Sequence, residues 1–433
     1  MDSPTTFVKF NQTINSINNQ QSIRNGNTLF IPLLIMGILF FVIGFGIGIS
    51  GFLTPFLKDA LNLTVTESNL VIVAIFTAFF VFGAPAGWIL KRIGYKMSMV
   101  IAFFIIALGM ILFVPSAHMA SFPIFLLALF IGGIGNTLLE TSVNTYVTII
   151  GPHESVATRM CYMGIMHKLA WWMAPVFLGL FLNLENVQLS NISLPFYIIT
   201  SILVCVGIFM YFVPLPELKA VGENESDESS VSAYAFEKSN VFQMPHLMLG
   251  LLTLFLYVGV ETLPMVSIIG FAKAIFGNGM VNPERFAKYV PIGMFVGYFF
   301  GAILIPKIIS QIMALKLFTI IGLISSLCVI YLPGEIGIYS FVAIGFANSI
   351  MWGVIWPLAI VDLGKFTKIG GSLLVMSIVG GAVLPLIFGF LVDLFKSGEV
   401  SAASDYQSAY WIFIPAYLFI FYFATIGNKI RRK

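Results

Sequence analysis

Twelve apolar stretches recur along the chain, near residues 29–57, 69–90, 97–116, 123–150, 160–182, 195–215, 245–276, 288–306, 312–333, 336–362, 371–395 and 408–428. Each is long enough to cross a hydrocarbon core of about 30 Å. In lipid each must be α-helical, because no water is there to satisfy free backbone groups. The predicted fold class is an all-α membrane protein with twelve transmembrane helices. Residues 1–28 are polar and rich in Asn and Gln, with neither an apolar core behind a basic start nor a small-residue cleavage site. They are expected to form a flexible tail rather than a signal peptide. The longest hydrophilic break, residues 216–243, holds Glu217, Glu223, Glu225, Asp227, Glu228 and Glu237 and divides the stretches six and six. The expected organisation is a six-helix bundle at 29–215, a loop at 216–243, a second bundle at 244–428 and a basic end at 429–433.

The two halves repeat. Pro175, Gly179 and Asn183 in the fifth stretch match Pro385, Gly389 and Asp393 in the eleventh. Asn136-Thr137 matches Asn348-Ser349, and Gly83/Gly87 matches Gly297/Gly301, all at nearly one offset. A parallel six-plus-six repeat is the signature of a two-bundle transporter with its solute at the bundle interface near the midplane. Orientation follows from the basic residues. The side holding both ends collects sixteen Lys and Arg, among them Lys91, Arg92, Lys96, Lys365 and Lys368, against five on the other (Lys58, Lys273, Arg285, Lys288, Lys396), so both termini are expected in the cytoplasm.

Composition narrows the function classes. Of 433 residues, 59% are hydrophobic and 9% charged, where a soluble protein carries about 25% charge. Too few charges are present to cover a soluble surface, which excludes a cytosolic enzyme, a nucleic-acid-binding protein and a secreted disulfide scaffold together. Cys161, Cys205 and Cys328 sit in apolar runs without ligand spacing, so neither a metal site nor a cofactor is expected.

Charges inside the stretches carry the candidate chemistry, because one at a helix centre costs about 2.5–3.5 kcal/mol on insertion scales. Glu140 is the middle of a stripe in which Asn136, Glu140 and Asn144 share one helical face behind Gly132 and Gly133. That face suits either a water-filled cavity that hydrogen-bonds hydroxyls or a buried, neutral contact between helices. His167 and Lys168 lie mid-helix, one turn before Trp171 and Trp172. Adjacent residues point about 100° apart, so at most one faces the cavity squarely. Lys168 can pair with Glu140, functionally or as a structural ion pair, or lose its proton, and His167 is either a cavity hydrogen-bonder or a satisfied interhelical residue. Glu261 follows Tyr257 by one turn and precedes Pro264, where a broken helix frees backbone groups for a ligand. Asn348, Trp352 and Trp356 repeat the spacing of the Glu140 stripe with two indoles, whose faces suit the C–H faces of a sugar or simply pack.

Several runs resemble the fucose/glucose/galactose:proton symporter branch of the major facilitator superfamily. They are Pro85-Ala86-Gly87 followed by Ile93-Gly94-Tyr95-Lys96, Gly135 to Thr141 with Gly151-Pro152, Tyr257-Val258-Gly259, and Lys368, Gly370, Ser372, Val375-Met376, Ile378, Gly380-Gly381 and Pro385. The resemblance implies two pseudo-symmetric six-helix bundles in a bacterial inner membrane, a sugar substrate, and a sugar-binding acid tied to protonation at Glu140, with Asn144 as the family's Asn. This chain departs from the family pattern at three places. Ser50-Gly51 precede Pro55 where the family often has Asn-Asp, Gly164 and His167 align with a helix-five Gln and Asn and are followed by Lys168 where the family tends to have a small residue, and Lys91 replaces a loop Asp.

The resulting expectation is a monomeric secondary active sugar importer working by alternating access. Glu140, Lys168 and Glu261 are its proton-coupling candidates. Asn136, Glu140, Asn144, His167, Tyr257, Glu261, Asn348, Trp352 and Trp356 are its substrate-binding candidates. The coupling ion is a proton or sodium. The alternatives are an uncoupled sugar facilitator and a carrier of another small polar or amphipathic solute.

Overall fold

A computed structural model describes residues 30–61, 63, 65–181, 192–223, 234–277, 282–396, 398 and 401–430. The expected tail at 1–28, Asn183 of the repeat, and Glu225, Asp227 and Glu228 of the central break lie outside the described residues, as do the last three basic residues; for residues 50–60, 65–69, 72, 175 and 284 only the backbone is described.

The first six crossings are built from five helices: α1 (Phe30–Ala60), α2 (Val65–His118), α3 (Phe122–Ile149), α4 (Val156–Gly179) and α5 (Ser193–Phe212). Helix α2 supplies two crossings, its arms folding at Gly94 with φ 80° and ψ 177°. A left-handed φ is costly for any residue with a Cβ. At Gly94 that Cβ would also lie 2.6 Å from Glu217 Oε1. The second set begins with α6 (Pro245–Phe276), α7 (Tyr289–Leu304) and α8 (Gln311–Tyr331). The tenth crossing is broken into α9 (Ser340–Ser349) and α10 (Met351–Ile360), and the eleventh into α11 (Thr367–Met376) and α12 (Gly380–Phe395); α13 (Phe413–Thr425) completes the set. The breaks have local causes. Ser349 Oγ donates to the Phe346 carbonyl at 2.7 Å, competing with the helical ladder. The eleventh crossing tightens to a 3-10 turn at Ser377–Val379, just before Gly380, whose backbone packs against the Phe255 carbonyl too closely for a Cβ.

Among the described residues ten helical spans meet the length and apolarity of a membrane crossing. The arms of α2 are merged in that number, and α4 falls short because Arg159, His167, Lys168 and its tryptophans dilute it. Counted by crossings, the twelve expected spans are present. The outer surface is apolar: Phe80, Trp172, Phe299 and Leu386 are each more than half exposed, as lipid-facing side chains are. Within the first bundle α2 packs on α3 and α5, and α1 on α4; within the second α7 packs on α9, α6 on α12, and α8 on α9 and α13.

The bundles meet along a seam that starts at the face carrying the bend at Gly94, the 150–156 turn and Ile430. One row of α4 forms half of it. Ala157 N donates to Gln311 Oε1 at 3.0 Å and Thr158 Oγ1 to the Ile305 carbonyl. One turn further, a Cβ on Gly353 would meet Met160 at 2.7 Å and one on Gly301 would meet Cys161 Sγ at 2.8 Å, and Gly164 abuts the Tyr298 ring. On the other flank Gly87 and Gly83 of α2 abut Ser372 and Met376 of α11. The segment after α5 clamps this flank from outside. Glu217 accepts from Tyr95 N at 2.9 Å, and Lys368 Nζ lies 3.0 Å from Glu223 and 3.9 Å from Glu217. Burial raises the Glu217 carboxyl above its ordinary range, with the Tyr95 amide and Lys368 pulling the other way. In this structure the face that carries the described C-terminal end is shut.

Candidate functional site

Where the seam ends, near mid-membrane, the charged side chains gather. The next residue of the α4 row after Gly164 is Lys168, whose Nζ lies 3.3 Å from Glu261 Oε1 on α6, a pair that joins the two bundles. Its side chains keep 17% and 15% of their exposure, so the pair borders an open cleft rather than dry packing. The sequence offered Glu140 as the partner of Lys168. The structure gives the ion pair to Glu261 instead, because the exposed turn of α4 points across the seam toward α6.

Glu140 itself belongs to the strongly polar face of α3. Thr137, Thr141, Ser142, Asn144 and Thr145 are wholly buried there, each hydroxyl closing on a carbonyl of its own helix, whereas Asn136 and Glu140 retain 8% and 7% exposure. The Asn136–Glu140 edge is therefore the one that reaches the cleft. Among the described residues neither the Glu140 carboxylate nor the Asn136 carboxamide has a hydrogen-bond partner, and the charge that acts on Glu140 is that of Glu261. The third member of the stripe is engaged elsewhere. Asn144 Nδ2 donates to the Glu140 carbonyl at 2.9 Å, and its Oδ1 accepts from Trp352 Nε1 at 2.9 Å, closing the cleft floor between bundles.

The second bundle supplies an aromatic cluster in which Trp352 keeps partial exposure while Trp356 and Tyr257 are wholly buried behind it. Trp352 lies 5.4 Å from Trp356 and 6.4 Å from Tyr257, ring centre to ring centre. The Trp356 indole N–H is buried without a hydrogen-bond partner among the described residues, and a buried donor left unpaired costs about 1–3 kcal/mol; the Tyr257 hydroxyl meets the Glu261 carboxylate. Asn348, the first residue of that stripe, is not available. Its Nδ2 donates to the Val260 carbonyl at 2.9 Å and its Oδ1 accepts from Tyr417 at 2.8 Å, so it fastens α9 to α6 and α13. His167 is half-buried, with its backbone carbonyl against Gly44 of α1, a contact that admits no side chain larger than hydrogen there. Tyr298 was missed by the sequence reading. It stacks over Gly164 beside the field of Glu261, and its only sequence signal was the neighbouring Gly297/Gly301 pair.

Replacing Trp352 by Phe keeps the ring and removes the bond to Asn144. The expected cost is that of one hydrogen bond, about 0.5–1.5 kcal/mol, read as a small fall in the thermal midpoint. Trp352→Ala is expected to fall much further; equal losses would show that the bond, not the ring, is what Trp352 supplies.

Two six-helix bundles meeting at a charged, partly exposed pair deep among apolar membrane-crossing helices define a carrier of small solutes. The chain belongs to the Major Facilitator Superfamily, whose sequence pattern matches residues 36–368. It is 30% identical over 401 residues to the glucose/galactose transporter of Brucella abortus, covering 90% of this chain and 93% of that one. To the L-fucose-proton symporter of Escherichia coli it is 29% identical over 424 residues, covering 92% and 93%. The crystal structure of the Escherichia coli fucose:proton symporter superposes with a TM-score of 0.78 at 25% identity, covering 93% of this chain and 100% of that one. A second structure of that transporter, in the outward conformation, also gives 0.78. These relatives are transporters, not enzymes.

Proposed function

We propose that this chain is a secondary active transporter that imports a hexose-type sugar by alternating access, coupled to a proton, with sodium as the other candidate ion. The observation that carries the reading is the unpartnered carboxylate of Glu140, with Asn136 at the edge of a cleft and on the same helix as Asn144, which bonds Trp352 of the other bundle. Carboxylate and carboxamide suit sugar hydroxyls, and flat indoles suit the apolar face of the ring. Lys168 and Glu261 border the same cleft, and with Glu140 they are the groups through which an ion is coupled. The names of the relatives support the substrate class. The count of basic residues supports cytoplasmic termini in a bacterial inner membrane.

A second reading, an uncoupled facilitator, is favoured by Ser50-Gly51 where the resembling family often carries an acid. Purified protein in proteoliposomes separates the two. The expected result is uptake of one or more of glucose, galactose and fucose above the outside concentration when a pH gradient is imposed, and equilibration without it. Equilibration in both cases would establish the facilitator, uptake driven only by sodium would change the ion, and the absence of any hexose flux would remove the sugar.

A further inference from the structure

The seam reads as a row of teeth along one face of α4, at 157–158, 160–161, 164 and 168, each meeting the second bundle. Lys168 is the innermost tooth. The others are uncharged and part at the cost of ordinary contacts. Lys168 and Glu261 stand on opposite bundles, so rocking the bundles to open the face at Gly94 and Ile430 must draw them apart. A charge left alone at this depth is strongly disfavoured. The Lys168 ammonium therefore needs another anion in the open state, and that anion has to travel with it.

Among the described residues one group meets both conditions. Glu140 is on α3, in the same bundle as Lys168; its carboxylate has no partner in the present state, and it already feels the charge of Glu261. The other groups whose interactions reach Glu261 are Tyr257, Tyr298 and Tyr417, all neutral and all on its own bundle. None of them can take an ammonium from the first bundle. We propose that Lys168 is passed between two carboxylates as the bundles rock, held by Glu261 while the face bearing the Gly94 bend is shut and by Glu140 when that face opens. The inference rests on the carrier reading above, but not on which solute is carried. It implies that the free acid lining the cleft changes identity with state: Glu140 faces the solute in the state described here, and Glu261 in the other. It also gives this chain a charge cluster for coupling without an acid at positions 50–51.

Cys161 reports the seam directly, being 1% exposed and seated against Gly301. In a Cys205→Ser, Cys328→Ser background, its labelling by N-ethylmaleimide in membranes measures how often the seam parts. The expected result is a split between the two acids. Glu261→Gln, which weakens the shut state, labels several-fold faster than the parent, and Glu140→Gln, which removes the acceptor in the open state, labels several-fold slower. Acids that shift the rate in the same direction, or a Glu140→Gln rate equal to the parent's, would overturn the proposal. Fast labelling of Glu261→Gln from misfolding is told apart by exchanging the charges: Lys168→Glu with Glu261→Lys restores the pair across the seam and is expected to return the rate to the parent's or below. A charge-exchanged protein that labels as fast as Glu261→Gln also overturns it. No sugar enters this measurement. A hexose that fails to move while the split holds removes the sugar from the proposed function, and hexose accumulation without the split removes only the handover.

Discussion

Glu140→Gln is expected to abolish sugar accumulation while leaving sugar exchange slower but present. The amide keeps the shape of the acid and its place beside Asn136, so a hydroxyl still finds hydrogen-bonding partners at the edge of the cleft. What it loses is the ability to gain and release a proton. One proton entering down 100 mV is worth about 2.3 kcal/mol, which concentrates a neutral sugar roughly fifty-fold at 1.36 kcal/mol per decade. Wild-type proteoliposomes under such a gradient are expected to approach that ratio, and the variant to settle near equal concentrations inside and out. Counterflow of labelled against unlabelled sugar persists in the variant. A Glu140→Gln protein that accumulates sugar to the wild-type ratio would take Glu140 out of the coupling.

The second large effect is structural and falls on a residue the sequence placed in the sugar site. Asn348→Leu removes the bonds that hold the Val260 carbonyl and the Tyr417 hydroxyl, both deep in the second bundle. Each group left unpaired costs about 1–3 kcal/mol, so the thermal midpoint in detergent is expected to fall by several degrees or more. Hexose binding in the protein that remains folded is expected to stay near wild type. An unchanged midpoint with lost binding would return Asn348 to the sugar site.

The two Asn stripes show what a single sequence conveys about this molecule and where it stops. On the first stripe Asn136 and Glu140 keep a trace of exposure, and on the second Trp352 is partly exposed while Trp356 is wholly buried. Spacing does not say which polar group on a face is already spent. Asn144 is consumed by Trp352, which lies 208 residues away in the chain, and Asn348 by Tyr417. The same limit hid the partner of Lys168. Glu140 is nearer in sequence, but the choice of Glu261 depends on which turn of α4 faces the other bundle. The twelve crossings were legible because lipid forces a long apolar run on each of them. The fold of α2 into two arms at one residue was not, since the basic loop 91–96 reads as a longer break; the structure needs only Gly94 and the Glu217 carboxylate beneath it. The repeated glycines were visible as a pattern, while their use differs. Gly83, Gly87 and Gly301 touch the opposite bundle, and Gly297 faces Ser349 within its own.

At most of its uncharged contacts the seam places a glycine against its partner, as at Gly83, Gly87, Gly164, Gly301 and Gly353. Parting such a surface uncovers little greasy area and frees few rotamers, so neither position is bought at great expense in hydration or entropy. Two conformations so evenly poised are the requirement for fast turnover. A modest bias, the grip of a bound solute or the pull of the membrane voltage, is enough to tip the machine either way and let it reset.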